Sequence, residues 1–374
     1  MNHADTNRII GFDLLRVIMV LLLIVFHAGV SFMVTPLDAQ VWEYQDRSTN
    51  ILFDGTLSFI HTFRHPTFFL ISGFLTAQML NRYSTRDVML KRIKRLLIPL
   101  AIVAIIFGPF INGTLSLING NQHPFSWNEM FLVQGDQSIN FGTSYVWFLY
   151  YLFLFSTIHL TIKAAFKPIL KSYKSNFRKV FWIVVFLILT TCLSLFWWKE
   201  NTLFGQYYLI PHPGSLFGYF SFYLFGAYMA GLPNVIDTLR QRKVHLIMLT
   251  IGLGALGTYL SLGHQQIVSG KNMIDFDLST MVLSSIATVT VSLGGIGIAC
   301  RQYKRSISMV LFLSKSSYFI YLVHFPVILL NMVLVMPLKM NCFLKFIFIL
   351  VPTLGISLFL NFIWVKAWKN KPPI

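Results

Sequence analysis

An apolar stretch long enough to cross a bilayer, Gly11 to Phe32, carries an arginine and, eleven residues later, a histidine: Arg16 and His27. In an α-helix eleven residues turn through about 1100° and rise ~16 Å. Both side chains therefore lie on one face, at different depths. A cation facing lipid costs at least ~2.5 kcal/mol even on the lenient insertion scale, so intramembrane ionisable groups normally face a bundle interior or a wet cavity. The spacing predicts a first span whose Arg16–His27 face looks into a bundle.

The rest of the chain repeats the apolar pattern. Only 11% of its 374 residues are charged against 55% apolar, about half the usual charged share, and the mean hydropathy is +0.66. These values predict an all-α polytopic membrane protein of about ten transmembrane helices. Spans are read at 10–32, 56–80, 96–118, 144–163, 180–198, 214–232, 244–262, 279–299, 308–335 and 343–365, each long enough for a ~30 Å core. No polar stretch is long enough to fold alone, so 1–374 reads as a single transmembrane domain. The first stretch shows no small-residue cleavage site and holds Asp13 and Arg16, as expected of an uncleaved span.

A net charge of +17 would suit nucleic acid, but the placement of the cations argues against it. Most of the 30 basic residues fall on alternate connections, as in Arg82, Arg86, Lys91, Arg92, Lys94 and Arg95 after the second span. That asymmetry predicts both termini in the cytoplasm. The longer connections, 33–55, 119–143, 199–213 and 263–278, are then outer, with Lys345 also on that side, and 104–143 and 199–218 read as loops or re-entrant pieces. Cys192, Cys300 and Cys342 are scattered and form no disulfide or metal pattern.

The second span adds His61, Arg64 and His65, at about the depth His27 reaches from the other direction. Three histidines and an arginine can then share one pocket, with Pro66 freeing a backbone carbonyl and Ser72-Gly73 permitting a close helix approach. The plainer reading is that His61 and His65 snorkel to the headgroups. The ninth span carries Tyr318, Tyr321 and His324 on adjoining faces, where a lone histidine is more often a hydrogen-bonded core residue than a catalyst. The aromatic run from Tyr145 to Phe153 reads as an interfacial belt. The cluster Lys91 to Arg95 reads as a positive-inside stop or a lipid-headgroup site, and it also suits the phosphates of an anionic cofactor.

Arg16 and His27 preceded by Asp13, then FRHPTFFLISGF, KRIKRLLIPL, VWFLYYL and SYFIYLVHFP, follow the order and spacing of the membrane-bound acyltransferase-3 family. The resemblance covers nearly the whole chain and is closest to the branch that modifies osmoregulated periplasmic glucans, succinyltransferase-like enzymes. It implies a bacterial inner-membrane enzyme, an acyl-coenzyme A donor (acetyl or succinyl) entering from the cytoplasm, and a carbohydrate hydroxyl acylated at the outer face. Matching positions give Arg16 and His27 the family's essential roles, with Arg64, Ser72, Tyr321 and His324 as further motif residues. His65 stands where glucan-modifying relatives often have Met, and Phe325 replaces a second His.

The chemistry fits that implication. A thioester is already activated, so the enzyme mainly deprotonates an acceptor hydroxyl and stabilises an oxyanion. His27 serves as base, Arg64, His324 or Tyr321 supports the oxyanion, and Arg16, Arg92, Arg95 and Ser72 hold the donor. A covalent acyl-histidine is possible but unnecessary. No metal and no permanently bound cofactor is expected, and the partners are acyl-coenzyme A, an envelope glycan and membrane lipids. Trp42, Tyr44, Trp127 and Asn140 are candidates to stack and hydrogen-bond sugars. The rival from another class is an exporter of glycan or lipid-linked sugar; against it, no matched pair of broken helices is evident. A purely structural subunit would leave Arg16 and Arg64 without a purpose.

Overall fold

A computed structural model of the chain describes residues 9–35, 42, 44–126, 130, 133–134, 138–139, 144–165, 177–205, 210–269, 276–302 and 308–369. In chain order the helices are α1 (Ile10–Gly29, continued to Phe32 by a 3₁₀ turn), α2 (Ile51–Leu80), α3 (Thr85–Ile118), α4 (Trp147–Ala165) and α5 (Phe177–Trp198). They continue as α6 (Pro213–Ala230), the short α7 (Pro233–Leu239), α8 (Arg242–Val268), α9 (Leu278–Gln302), α10 (Ser308–Val335) and α11 (Cys342–Lys369). A two-residue hairpin, Val133–Gln134 against Ser138–Ile139, is the sole strand pairing described. The protein is an all-α polytopic membrane protein.

Seven of these helices are long and apolar enough to cross a membrane: α1, α3, α5, α8, α9, α10 and α11. The remaining expected spans coincide with α2, α4 and α6, where His61, Arg64, His65 and several tyrosines lower the apolarity. Those three meet: the Tyr151 hydroxyl of α4 lies 3.1 Å from that of Ser215 on α6, and Phe69 of α2 packs on Phe155 and Tyr219. Polar residues are thus spent where helices face one another. The apolar periphery is left to α3, α5, α8 and α11, of whose spans less than a third is buried, against 72% for α9.

Segment 104–118, read both as the end of the 96–118 span and as part of a loop or re-entrant piece, is helical and forms the end of α3. This helix absorbs two π turns, Ile93–Leu97 and Val103–Phe107, and its start is fixed by the Ser84 side chain accepting the Asp87 N–H.

Small residues set the tightest crossing. A Cβ on Gly73 of α2 would lie 1.9 Å from the Tyr223 carbonyl oxygen, and one on Gly226 of α6 would lie 1.8 Å from that of Leu70. The two backbones touch, as the Ser72-Gly73 pair predicts. Elsewhere polar side chains join helices: Ser314 of α10 donates to Asp13 of α1 (2.7 Å), and Asn331 of α10 donates to Thr353 of α11 (3.0 Å).

At three of the prolines within helices, the carbonyl that the ring frees is met by a hydroxyl from elsewhere. Pro66 cannot donate to Thr62, whose carbonyl accepts instead from Thr288 of α9 at 3.0 Å. Pro99 cannot donate to Arg95, whose carbonyl accepts from Tyr318 of α10. Pro326 cannot donate to Leu322, whose carbonyl accepts from Tyr145 at 2.5 Å. In lipid an unmet carbonyl costs several kcal/mol, so these substitutions keep broken helices viable.

At one end of the bundle the chain between α1 and α2 is tied down by carboxylates. Asp54 accepts the N–H groups of Val34 and Thr35, at 2.8 and 2.9 Å. Asp46 forms an ion pair of 2.7 Å with Lys345, both side chains nearly sealed from solvent. Lys345 is therefore a core residue of this interface, where its sequence position suggested an exposed outer charge. Polar neighbours, the Met336 carbonyl for the ammonium and the Ser48 N–H for the carboxylate, share the desolvated charge.

Candidate active site

Arg16, Val20, Leu23 and His27 follow one another along a single face of α1, and all four line a cavity of about 1140 Å³. The other walls come from α2 (His61, Arg64, His65, Ser72), α3 (Arg92, Arg95), α4 (Trp147, Phe148) and α10 (Lys315, Tyr318, Tyr321). The volume exceeds the roughly 300–1,000 Å³ of an ordinary small-molecule pocket. It has two chemically different ends.

One end is basic. Arg16 lies 3.8 Å from Asp13, one helical turn away, and Asp13 is itself held by the Ser314 hydroxyl. That chain of contacts orients the guanidinium along the wall. Arg92 donates to the Thr76 hydroxyl and reaches the Met79 sulfur, while its Nε is buried with no hydrogen-bond partner among the described residues. Arg95, one turn further, lies in the π turn whose freed carbonyl Tyr318 caps.

The other end gathers the histidines. The His27 ring, in the last turn of α1, sits 5.5 Å from that of His324 and 5.1 Å from that of Phe325. Arg64 is 1% exposed; its guanidinium lies 4.7 Å over the Phe26 ring and 3.0 Å from Nε2 of His65. Arginine only donates, so that Nε2 must accept, and the ring proton is on Nδ1. This Nδ1–H is buried with no partner among the described residues, a free donor beside the cavity. The His61 ring packs 5.5 Å from Phe26 and 5.7 Å from His65. His324 points its Nδ1 at the Tyr321 carbonyl (2.6 Å), which assigns the proton there and leaves Nε2 as an acceptor.

The sequence-predicted residues divide as follows. His27, Arg64, Tyr321, Arg16, Arg92, Arg95 and Ser72 all reach the cavity. His324 does not line it; fully buried, it backs His27 from behind. The Tyr321 hydroxyl donates to the Tyr145 carbonyl at 3.2 Å. Trp147 and Phe148 belong to the wall, Trp147 against His65 at 4.7 Å, where the aromatic run had suggested an interfacial belt. Trp42 offers no face to a sugar: it is buried against Phe325 with its indole N–H donated to Ser31. Tyr44 is half-buried beside Asp46, and Trp127 and Asn140 lie outside the described residues.

One wall carries residues that sequence reasoning did not single out. After α5 the chain turns at Lys199 (φ 63°) and runs inward as a strap through Asn201 and Thr202 to Gly205. The turn is a helix-ending motif in which the Glu200 N–H reaches the Leu195 carbonyl, 3.1 Å away. Reading 199–218 as re-entrant anticipated the path but not the residues.

A cavity joining a fixed set of guanidinium groups to a neutral-donor and histidine cluster suits an elongated ligand, anionic at one end and reacting at the other. Proton transfer and oxyanion stabilisation are both available at the histidine end. An acyltransferase domain family matches residues 9–362 of the chain. Glucans biosynthesis protein C from Escherichia coli strain SMS-3-5 / SECEC is 25% identical over 380 residues, covering 96% of this chain and 92% of that protein. The protein of the same name from Escherichia coli strain K12 matches to the same extent.

Proposed function

The chain belongs to the acyltransferase family that its residues 9–362 match, and we propose that it moves an acetyl or succinyl group from cytoplasmic acyl-coenzyme A to a hydroxyl of a cell-envelope glycan. The glycan class follows from the printed name of the relatives, glucans biosynthesis protein C. The observation that carries the donor is the two-ended cavity: Arg16, Arg92 and Arg95 at one end, His27, His65 and Arg64 at the other. The ~16 Å of helix between Arg16 and His27 is comparable to an extended pantetheine arm. The nucleotide's phosphates thus rest on the arginines while the thioester reaches the histidines.

In this reading the basic end opens to the cytoplasm of a bacterial inner membrane and the histidine end to the outer side. His27 takes the proton of the acceptor hydroxyl as its oxygen attacks the thioester carbonyl. The oxyanion that forms faces Arg64 and the Nδ1–H of His65. Collapse breaks the carbon–sulfur bond, and the coenzyme A thiolate leaves with the proton from the His27 imidazolium. His324 backs the His27 ring and limits its rotation.

Purified protein given radiolabelled acyl-coenzyme A and glucan should release free coenzyme A in proportion to label on the glucan. His27→Ala should lower that rate ~10²–10⁴-fold, the usual worth of a general base, with donor binding retained. Glucan transport without coenzyme A release would refute the assignment, as would a folded His27→Ala protein that acylates at the wild-type rate.

A further inference from the structure

Arg16, Arg92, Arg95 and Lys315 all line the basic end of the cavity, and the transfer described above gives the last no task. Two of them are held back from the mouth. Arg16 is half-buried beside Asp13, and Arg92 is half-buried with its guanidinium on the Thr76 hydroxyl. Arg95 and Lys315 are exposed, and neither side chain makes a hydrogen bond or ion pair with a described residue. Asp13, the carboxylate nearest in the chain of contacts, is already engaged by Ser314 and Arg16.

The turn of α10 that carries Lys315 is fastened on every side. Ser314 donates to Asp13 of α1, Ser316 accepts from Asn361 of α11 at 2.8 Å, and Ser317 donates to the Ser314 carbonyl at 2.8 Å. Tyr318 donates to the Arg95 carbonyl of α3. From Ser314 to Tyr318, Lys315 is the polar side chain that takes no part in this fastening. It stands on a fixed stretch of wall between the helix that bears Arg16 and the helix that bears Arg95. Residues three apart on a helix are neighbours, so Lys315 lies beside the tyrosine that meets α3 at Arg95.

We infer that Lys315, with Arg95, is the seat of the phosphate monoester on the donor's ribose, an inference that rests on acyl-coenzyme A as the donor. Depth makes the assignment. Coenzyme A carries a pyrophosphate between pantetheine and adenosine, and a separate monoester on the ribose, further from the thiol. With the thioester at the histidines, the pyrophosphate is the inner anion and the monoester the outer one. Half-buried Arg16 and Arg92 match the first, and exposed Arg95 and Lys315 the second. A dianionic monoester accepts at once from a guanidinium fork and from the point charge of an ammonium. Lys315 then sets the preference for coenzyme A over its dephospho form, at the end of the cavity remote from His27 and without a part in the chemistry.

Binding of coenzyme A and of dephospho-coenzyme A to the full-length protein, in detergent micelles free of phospholipid, reads the seat directly. The wild type should prefer coenzyme A by about tenfold or more, and Lys315→Gln should cut that preference about fivefold, as the loss of a hydrogen bond to a charged group at an exposed site implies. Affinity for the dephospho form should not change, and Lys315→Arg should keep most of the preference. In turnover, Lys315→Gln should raise the KM for acyl-coenzyme A and leave kcat and the acceptor KM as they are. Equal wild-type affinities for the two forms overturn the inference, as does a preference that survives Lys315→Gln. Lys315-dependent retention of phosphatidylglycerol with an unaltered preference overturns it too, and makes the seat a site for a lipid phosphodiester. Wild-type protein that binds neither form refutes acyl-coenzyme A as the donor, and the seat with it.

Discussion

Replacing Lys345 with methionine should strand the Asp46 carboxylate in the interface between α11 and the chain entering α2. The pair is 2.7 Å apart, with side-chain exposures of 6% for Lys345 and 2% for Asp46. Removing one partner of a buried pair typically costs roughly 3–5 kcal/mol, because the survivor remains desolvated. Asp46 keeps the Ser48 N–H at 2.8 Å and the Tyr44 hydroxyl at 3.4 Å, which places the expected loss at the lower end, about 3 kcal/mol. Adding Asp46→Asn removes the stranded charge while leaving an oxygen to accept the Ser48 N–H, so the double variant should recover most of that loss. Unfolding titrations in mixed micelles measure all four members of the cycle. Activity should fall with the single variant too, since Trp42 of the same segment packs on Phe325, which packs on His27. A Lys345→Met protein within 0.5 kcal/mol of wild type, or a double variant no more stable than the single, would refute the argument.

Arg92→Gln with Arg95→Gln should raise the KM for acyl-coenzyme A far more than that for glucan; equal shifts would reduce both residues to topology signals. Gly226→Ala should destabilise the protein by several times the ~1 kcal/mol ordinarily gained by such a change in a helix, with the sign reversed. Its methyl would fall 1.8 Å from the Leu70 oxygen and force α2 from α6, so a thermal midpoint at or above wild type would count against that crossing. Cysteines introduced at the exposed positions Arg47 and Asn121 should react with an impermeant maleimide in intact cells while one at exposed Ser84 should not. The opposite pattern means an inverted topology.

The wall made by α1 was legible because it depends on spacing within one helix: residues 16, 20, 23 and 27 fall on a face whatever lies opposite. The same holds for Pro66 and Gly73, whose backbone consequences are local. What resisted reading depends on partners far along the chain. Lys345 looks like any exposed lysine until Asp46, nearly three hundred residues away, is beside it. Trp42 looks like a sugar platform until Phe325 covers it. His324 and Tyr321 share a helix, yet only packing decides that Tyr321 meets the cavity while His324 lies behind another ring. The strap's path was anticipated but its residues were not, because Lys199, Glu200 and Asn201 carry no periodicity, and their placement follows from the end of α5 and the hold of Asp277 on Asn201.

The proline-freed carbonyls set an order of assembly during synthesis. Thr62 and Arg95 emerge from the ribosome long before Thr288 and Tyr318, the hydroxyls that satisfy them. Until α9 and α10 arrive, α2 and α3 hold a backbone acceptor that lipid cannot satisfy, and α2 also carries Arg64 and two histidines. Partitioning of α2 into the bilayer is therefore expected to lag behind its translation, with the segment retained at the insertion machinery or in contact with water until the later helices come. The third case runs the other way: Tyr145 is already in place when Leu322 is made. A chain truncated before α9 should consequently leave α2 open to proteolysis or chemical labelling, whereas one ending after α10 should protect it.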